Sequence, residues 1–119
     1  MVQDFSIARG VREGCQVLVV RGELDELTAP VFEGALAECR AGWPLIVDLS
    51  ELEFISSAGL HAVLRERSLR LSIVAPPGNV TRLFEIVTTN SRCPLFSDLD
   101  SAISKATPLA VVSGEARSA

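Results

Sequence analysis

Short apolar runs rich in valine, isoleucine and leucine alternate along this chain with longer segments in which apolar residues recur at helical spacing. The short runs predict strands, and they lie at residues 4–9, 15–21, 45–49, 69–74 and 94–96. The longer segments predict helices with one apolar stripe each, and they lie at about residues 28–40, 57–67, 79–87 and 99–106. Thr28 is the predicted N-cap of the first helix.

The resulting order, β-β-α-β-α-β-α-β-α, predicts a small α/β sandwich. Strands that alternate with helices pair in parallel through right-handed crossovers. The first two strands instead flank a charged turn between Gly10 and Gly14 and predict a hairpin, which makes the sheet mixed but mostly parallel. The 119 residues suffice for one domain, which we expect to span residues 1–106. Residues 107–119, where Pro108 stops the last helix, are expected to form a flexible tail.

Composition argues against several classes of function. The formal net charge of −4 and the pI near 4.9 disfavour binding to nucleic acid and to anionic membrane surfaces. Apolar runs reach only about five residues, far short of the roughly 20 that a membrane-spanning helix needs. Charged residues interrupt the N-terminus, so we expect no export signal and a cytoplasmic protein. Cys15, Cys39 and Cys93 are widely spaced without a CxxC pair, and we expect neither a disulfide nor a metal site.

Two segments carry the candidate functional residues, because loops that follow strands are the usual binding regions of α/β folds. The first is the sequence GELD at 22–25, with Thr28 shortly after it. The second is FISSAGL at 54–60, where small residues leave a serine hydroxyl at the start of a helix. Unpaired N–H groups and the helix dipole favour a negative group there. Either serine could instead simply cap the helix, and the acids could be ordinary solvated loop residues.

These motifs, in this order, resemble the STAS domain of bacterial anti-sigma factor antagonists over about residues 4–106. The resemblance implies a regulatory protein without a cofactor, not an enzyme. Such a protein binds an anti-sigma factor, often a serine protein kinase, and so releases a sigma factor. The resemblance places the phosphorylated serine at Ser57, with Ser56, at a position where the family often has Asp, as the alternative. The implied partner-binding residues are Glu23, Asp25, Thr28, Ser56, Ser57, Ala58, Gly59, Leu60 and His61.

Two other interpretations remain open from the residues. Ser57 and His61 are four positions apart on a predicted helix, and with Asp25 they form the composition of a serine hydrolase triad, although no GxSxG motif is present. The chain could also be a STAS scaffold in a signalling or transport complex that works without phosphorylation. In each interpretation we expect a monomer or a weak dimer.

Overall fold

The computed structural model describes residues 5–65, 70–75, 78 and 94–106. The strands β1 (Ser6–Arg12) and β2 (Cys15–Leu24) form the predicted hairpin. The remaining elements are, in chain order, α1 (Ala29–Ala37), β3 (Pro44–Asp48), β4 (Leu52–Ile55), α2 (Ser57–Arg65), β5 (Arg70–Val74), β6 (Leu95–Phe96) and a helix at residues 99–106. No helix within the described ranges is both long enough and apolar enough to cross a membrane.

The strands form one sheet in the order β1-β2-β3-β5-β6, with β4 also paired to β2. Only the β1–β2 pair is antiparallel, and the pairs β2–β3, β2–β4, β3–β5 and β5–β6 are parallel. The predicted mixed and mostly parallel sheet is therefore confirmed. Parallel pairing places the carboxyl ends of β2, β3, β4 and β5 toward one end of the sheet, where α1 follows β2 and α2 follows β4.

The side chains of β2 point alternately to the two faces of the sheet, and they contribute to a separate core cluster on each face. Leu18, Val20 and Leu24 lie in a cluster with Phe32 of α1 and Val63 of α2. Cys15 and Val17 lie in a second cluster with Ala102 and Ile103 of the helix at residues 99–106. Because successive side chains of a strand point to opposite faces, α1 and α2 cover one face and the C-terminal helix covers the other.

The strand β4 is absent from the sequence-based order. Glu51 and Glu53 interrupt its apolar residues, so this run is too short and broken to distinguish from a loop. It continues along β2 beyond the end of β3, after a turn in which the Ser50 amide donates to Asp48 Oδ1 at 2.9 Å. The pairing shifts register beside Gly22, whose φ of 96° is one that other residues rarely adopt. This pairing brings the ends of β2 and β4 together.

Several predicted boundaries change in the structure. Both strands of the hairpin are longer than predicted, and α1 ends at Ala37 rather than at residue 40. Of the four predicted helices, the structure contains α1, α2 and the helix at residues 99–106. The predicted helix at residues 79–87, Cys93 and the predicted tail at residues 107–119 lie outside the described residues.

Candidate functional site

The two candidate segments meet where β2 and β4 end. Leu24 and Ile55 are paired in register, and the Ser56 amide donates to the Leu24 carbonyl at 2.9 Å. Asp25 follows Leu24 directly, whereas Ser57 is the first residue of α2. The structure therefore brings together two segments that are about 30 positions apart in the chain. We call residues 22–28 the acidic loop, and Ser56 and Ser57 the serine pair.

The acidic loop is held in one conformation by Asp25 and Thr28. Asp25 Oδ1 accepts hydrogen bonds from the amides of Leu27 at 3.0 Å and Thr28 at 3.2 Å. The Thr28 hydroxyl accepts from the Asp25 amide at 2.9 Å and donates to the Glu23 carbonyl at 2.8 Å. These reciprocal bonds between side chain and backbone order the turn between β2 and α1.

The two serines have different environments. Ser56 Oγ accepts a hydrogen bond from the Gly59 amide at 3.3 Å, as an N-cap side chain does. The Ser56 carbonyl accepts from the Leu60 amide at 2.9 Å and so begins the helix. Ser57 is exposed, and among the described residues its hydroxyl has no hydrogen-bond partner. Ser57 therefore presents an accessible hydroxyl in the first turn of α2.

Gly59 allows α2 to lie directly against the end of β2. It is buried, and a Cβ atom built on it would come within 2.9 Å of Leu24 Cγ and even closer to the Leu24 carbonyl oxygen. A side chain at this position would collide with backbone, which cannot rotate away. The absence of a side chain at this position thus allows the first turn of α2 to pack against Leu24.

A salt bridge joins β2 to the turn that precedes β4. Arg21 Nε donates to Glu51 Oε1 at 2.6 Å, and both side chains are about half exposed. The hydrogen bond from Arg21 lowers the pKa of Glu51. Because the folded pKa is below the unfolded one, the stabilising contribution is present at neutral pH and is lost as the pH falls through the folded pKa. Its exposure keeps the contribution small.

Comparison with known proteins agrees with this architecture. A model of the STAS domain family matches residues 6–102. The chain belongs to the STAS domain family. Within it, the sequence is 34% identical over 97 residues to the anti-sigma-F factor antagonist RsfB of Mycobacterium tuberculosis, covering 76% of this chain and 80% of that relative.

Solved structures share the fold of this STAS domain. The crystal structure of an anti-sigma factor antagonist from Mycobacterium paratuberculosis has a TM-score of 0.74 and 27% sequence identity, covering 87% of this chain and 94% of that one. The anti-sigma factor antagonist SpoIIAA in its unphosphorylated form has a TM-score of 0.58 over 85% of this chain and 96% of its own. At 18% identity, the second comparison shows a common fold only.

The STAS domain places Thr28 and Gly59 differently from the other residues of the site. Thr28 is only 7% exposed and occupies the predicted N-cap position of α1, but its hydroxyl makes no cap hydrogen bond to the helix. The backbone of Thr28 is helical, with φ of −99° and ψ of −17°, instead of extended as is typical of an N-cap, and the hydroxyl bonds to the backbone of Asp25 and Glu23 within the loop. Gly59 is also buried. Both residues therefore shape the surface from beneath it.

The remaining predicted residues lie at or near the surface of the STAS domain. Glu23, Ser57 and His61 are exposed, whereas Asp25, Ser56, Ala58 and Leu60 are partly buried. Leu60 packs against the core cluster beneath α2. Ser57 and His61 share α2, but between these two described residues there is no hydrogen bond of the kind that activates a serine nucleophile.

Two exposed apolar residues near the site were not predicted. Leu27 is 79% exposed in the acidic loop, and Phe54 is 49% exposed in β4. A leucine or phenylalanine in a sequence gives no sign by itself of its exposure. The neighbouring glutamates give no signal either, because Leu24 and Leu52 also directly follow a glutamate and are buried.

Replacing each serine separately tests the assignment of the cap. We expect Ser56→Ala to lower the free energy of unfolding by about 1 kcal/mol, because the Gly59 amide loses its partner. We expect Ser57→Ala to change it by less than about 0.5 kcal/mol, as is usual at an exposed position. Urea denaturation of both variants measures the difference. Equal losses would show that Ser57 shares the capping role.

Proposed function

We propose that this STAS domain is an anti-sigma factor antagonist whose partner is an anti-sigma factor of the serine-kinase type. It binds that partner in the cytoplasm, as a monomer or a weak dimer, and thereby releases a sigma factor. Phosphorylation of Ser57 by the partner ends the binding. The observation that carries the proposal is the exposed Ser57 hydroxyl beside the acidic loop, in a domain whose relative in M. tuberculosis is named as an antagonist.

The position of Ser57 suits a reversible phosphate. A phosphoserine adds about −1.5 to −2 charges at neutral pH. The backbone N–H groups in the first turn of α2 favour an anion there, so the fold itself tolerates the modification. A partner that covers Ser57 must desolvate the phosphate, at a cost of several kcal/mol unless the partner pairs it. Charge and steric bulk at the interface therefore suffice to end binding, without refolding.

Ser57 is favoured over Ser56 as the acceptor by its accessibility. The Ser56 hydroxyl is partly buried and already accepts the Gly59 amide hydrogen bond. A kinase acting on Ser56 would have to break this cap and pull the residue away from the Leu24 carbonyl. Ser57 requires neither change.

A phosphorylation assay tests the proposal. Each serine-kinase anti-sigma factor encoded in the same genome is purified and incubated with ATP and this chain, and mass spectrometry locates the phosphate. We expect one phosphate in the wild type and in Ser56→Ala, and none in Ser57→Ala. Release of the sigma factor from the partner is measured in parallel with Ser57→Ala, which we expect to remain active.

Three other results would each overturn part of the proposal. A phosphate that persists in Ser57→Ala and disappears in Ser56→Ala would assign the acceptor to Ser56. Binding without any phosphate would favour a scaffold that works independently of phosphorylation, an interpretation to which Ser56 in place of the family's frequent Asp lends support. Absence of binding to every anti-sigma factor would show that the proposed function is wrong.

A further inference from the structure

Two of the five large apolar residues that are exposed in the described part of the chain lie near the candidate site, whereas Val11, Val31 and Trp43 lie elsewhere. Leu27, with an exposed fraction of 79%, lies in the loop that follows β2, and Phe54, with an exposed fraction of 49%, lies near the carboxyl end of β4. Phe54 is paired in register with Glu23, two residues before Asp25. Both apolar residues are thus within a few positions of the Leu24–Ser56 hydrogen bond that joins the candidate segments. We call this region the Leu27–Phe54 surface.

The backbone of Leu27 is held rigid although its side chain is exposed. Its amide donates to Asp25 Oδ1, and the amide of the next residue, Thr28, donates to the same oxygen. Phe54 is fixed differently, by the pairing of β4 with β2. An apolar side chain on an ordered backbone loses little conformational entropy when it binds. Exposed aromatic and aliphatic residues of this kind are typical anchors of protein interfaces.

Each of the two apolar residues follows an acid that lacks a cationic partner in the described part of the chain. Glu26 and Glu53 are exposed and make no salt bridge there. Other glutamates are paired, since Glu33 contacts Arg65, Glu38 contacts Arg9 and Glu51 contacts Arg21. The Leu27–Phe54 surface is therefore apolar with an uncompensated negative rim.

We infer that the Leu27–Phe54 surface is the docking surface for the anti-sigma factor, which presents apolar pockets for Leu27 and Phe54 surrounded by lysine or arginine side chains. Opposite charges across an interface favour correct partners and fast association. A second copy of this chain fits poorly, because a two-fold contact would set Glu26 and Glu53 against like charges. The inference rests on the proposed function, and it adds anchors that lie outside the phosphorylated helix.

Alanine variants with matched controls test the surface. The controls are Val11 and Trp43, which are 67% and 44% exposed and lie toward the opposite edge of the sheet. Val11 pairs with Gln16 at the start of β2, and Trp43 directly precedes β3. The probes are the purified serine-kinase anti-sigma factors of the same genome, and titration calorimetry measures the Kd of each complex.

We expect Leu27→Ala and Phe54→Ala each to raise the Kd at least about tenfold, as removal of an interface anchor does. Val11→Ala and Trp43→Ala are expected to change it less than about twofold. The double variant Glu26→Lys, Glu53→Lys should slow association about tenfold or more at low salt, and this difference should shrink at high salt. Ser104→Lys, which adds a positive charge at an exposed position of the C-terminal helix, is the control for charge.

The outcomes separate this inference from the proposed function. If the wild type binds and the Leu27 and Phe54 variants bind equally well, the docking surface is elsewhere and the proposed function stands. If the wild type binds no anti-sigma factor, the proposed function fails and the inference fails with it. If both variants instead abolish self-association in sedimentation experiments, the occupant is a second copy of this chain and the inferred partner is wrong. Thermal denaturation of every variant establishes that each one folds.

Discussion

A Ser57→Asp variant is expected to fold like the wild type and to bind its anti-sigma factor about a hundredfold more weakly. Ser57 is exposed and its hydroxyl bonds to no described residue, so the substitution costs the fold little. The acidic side chain lies in the first turn of α2, where the dipole favours it. Under a bound partner, the same charge must be desolvated close to the acidic loop, and each 1.4 kcal/mol of that penalty lowers affinity about tenfold.

Two matched variants show whether the loss of binding depends on a negative charge at position 57 in particular. Ser104→Asp introduces the same group at an exposed serine of the helix at residues 99–106, on the other face of the sheet, and should leave the Kd unchanged. Ser57→Ala removes the hydroxyl without adding charge and should retain binding. The Kd is measured by titration calorimetry, and the fold by circular dichroism. Undiminished affinity of Ser57→Asp for the partner would exclude Ser57 as the switch.

A Gly59→Ala variant is expected to be less stable than the wild type by about 3 kcal/mol, because the added methyl group would overlap with backbone. A Cβ atom at this position would lie within 2.9 Å of the Leu24 carbonyl carbon and closer still to its oxygen. The helix α2 must move away from β2 to relieve the contact. In a domain of this size, the melting temperature should fall by roughly 10 to 20 °C.

Gly34→Ala is the control for Gly59→Ala. Gly34 also lies in a helix, α1, but a Cβ atom on it would meet no atom within 4 Å. Alanine in a helix interior is more favourable than glycine by about 1 kcal/mol, so Gly34→Ala should raise the melting temperature. Calorimetric melting of both variants gives the comparison. A Gly59→Ala protein as stable as the wild type would mean that α2 packs less closely on β2 than the structure shows.

The phosphate switch and the packing of Gly59 depend on the same contact. The Leu24 carbonyl accepts the Ser56 amide and lies against Gly59, so it sets the position of the first turn of α2. A variant that displaces this turn also moves Ser57 relative to Asp25. We therefore expect Gly59→Ala to weaken partner binding even at temperatures where it remains folded, unlike Ser57→Ala.

Hydropathy patterns along the chain sufficed to predict most of the fold. The hairpin, the strands β3, β5 and β6, and the apolar faces of α1 and α2 follow from local periodicity, which needs no knowledge of distant contacts. The order of the motifs GELDxxT and FISSAGL sufficed for the family, which the match over residues 6–102 confirms. These are properties of neighbouring residues, and a sequence displays them directly.

Tertiary structure alone decided the roles of individual side chains at the site. In the sequence Ser56 and Ser57 are equivalent neighbours, and only the geometry of the turn gives one the cap and leaves the other exposed. Thr28 has the residue type and the position of an N-cap, yet its hydroxyl bonds to loop backbone because that backbone lies within reach. The existence of β4 likewise depended on pairing with a distant strand. Hydrogen bonds and exposure are set by which atoms meet in space, and spacing along the chain does not record that.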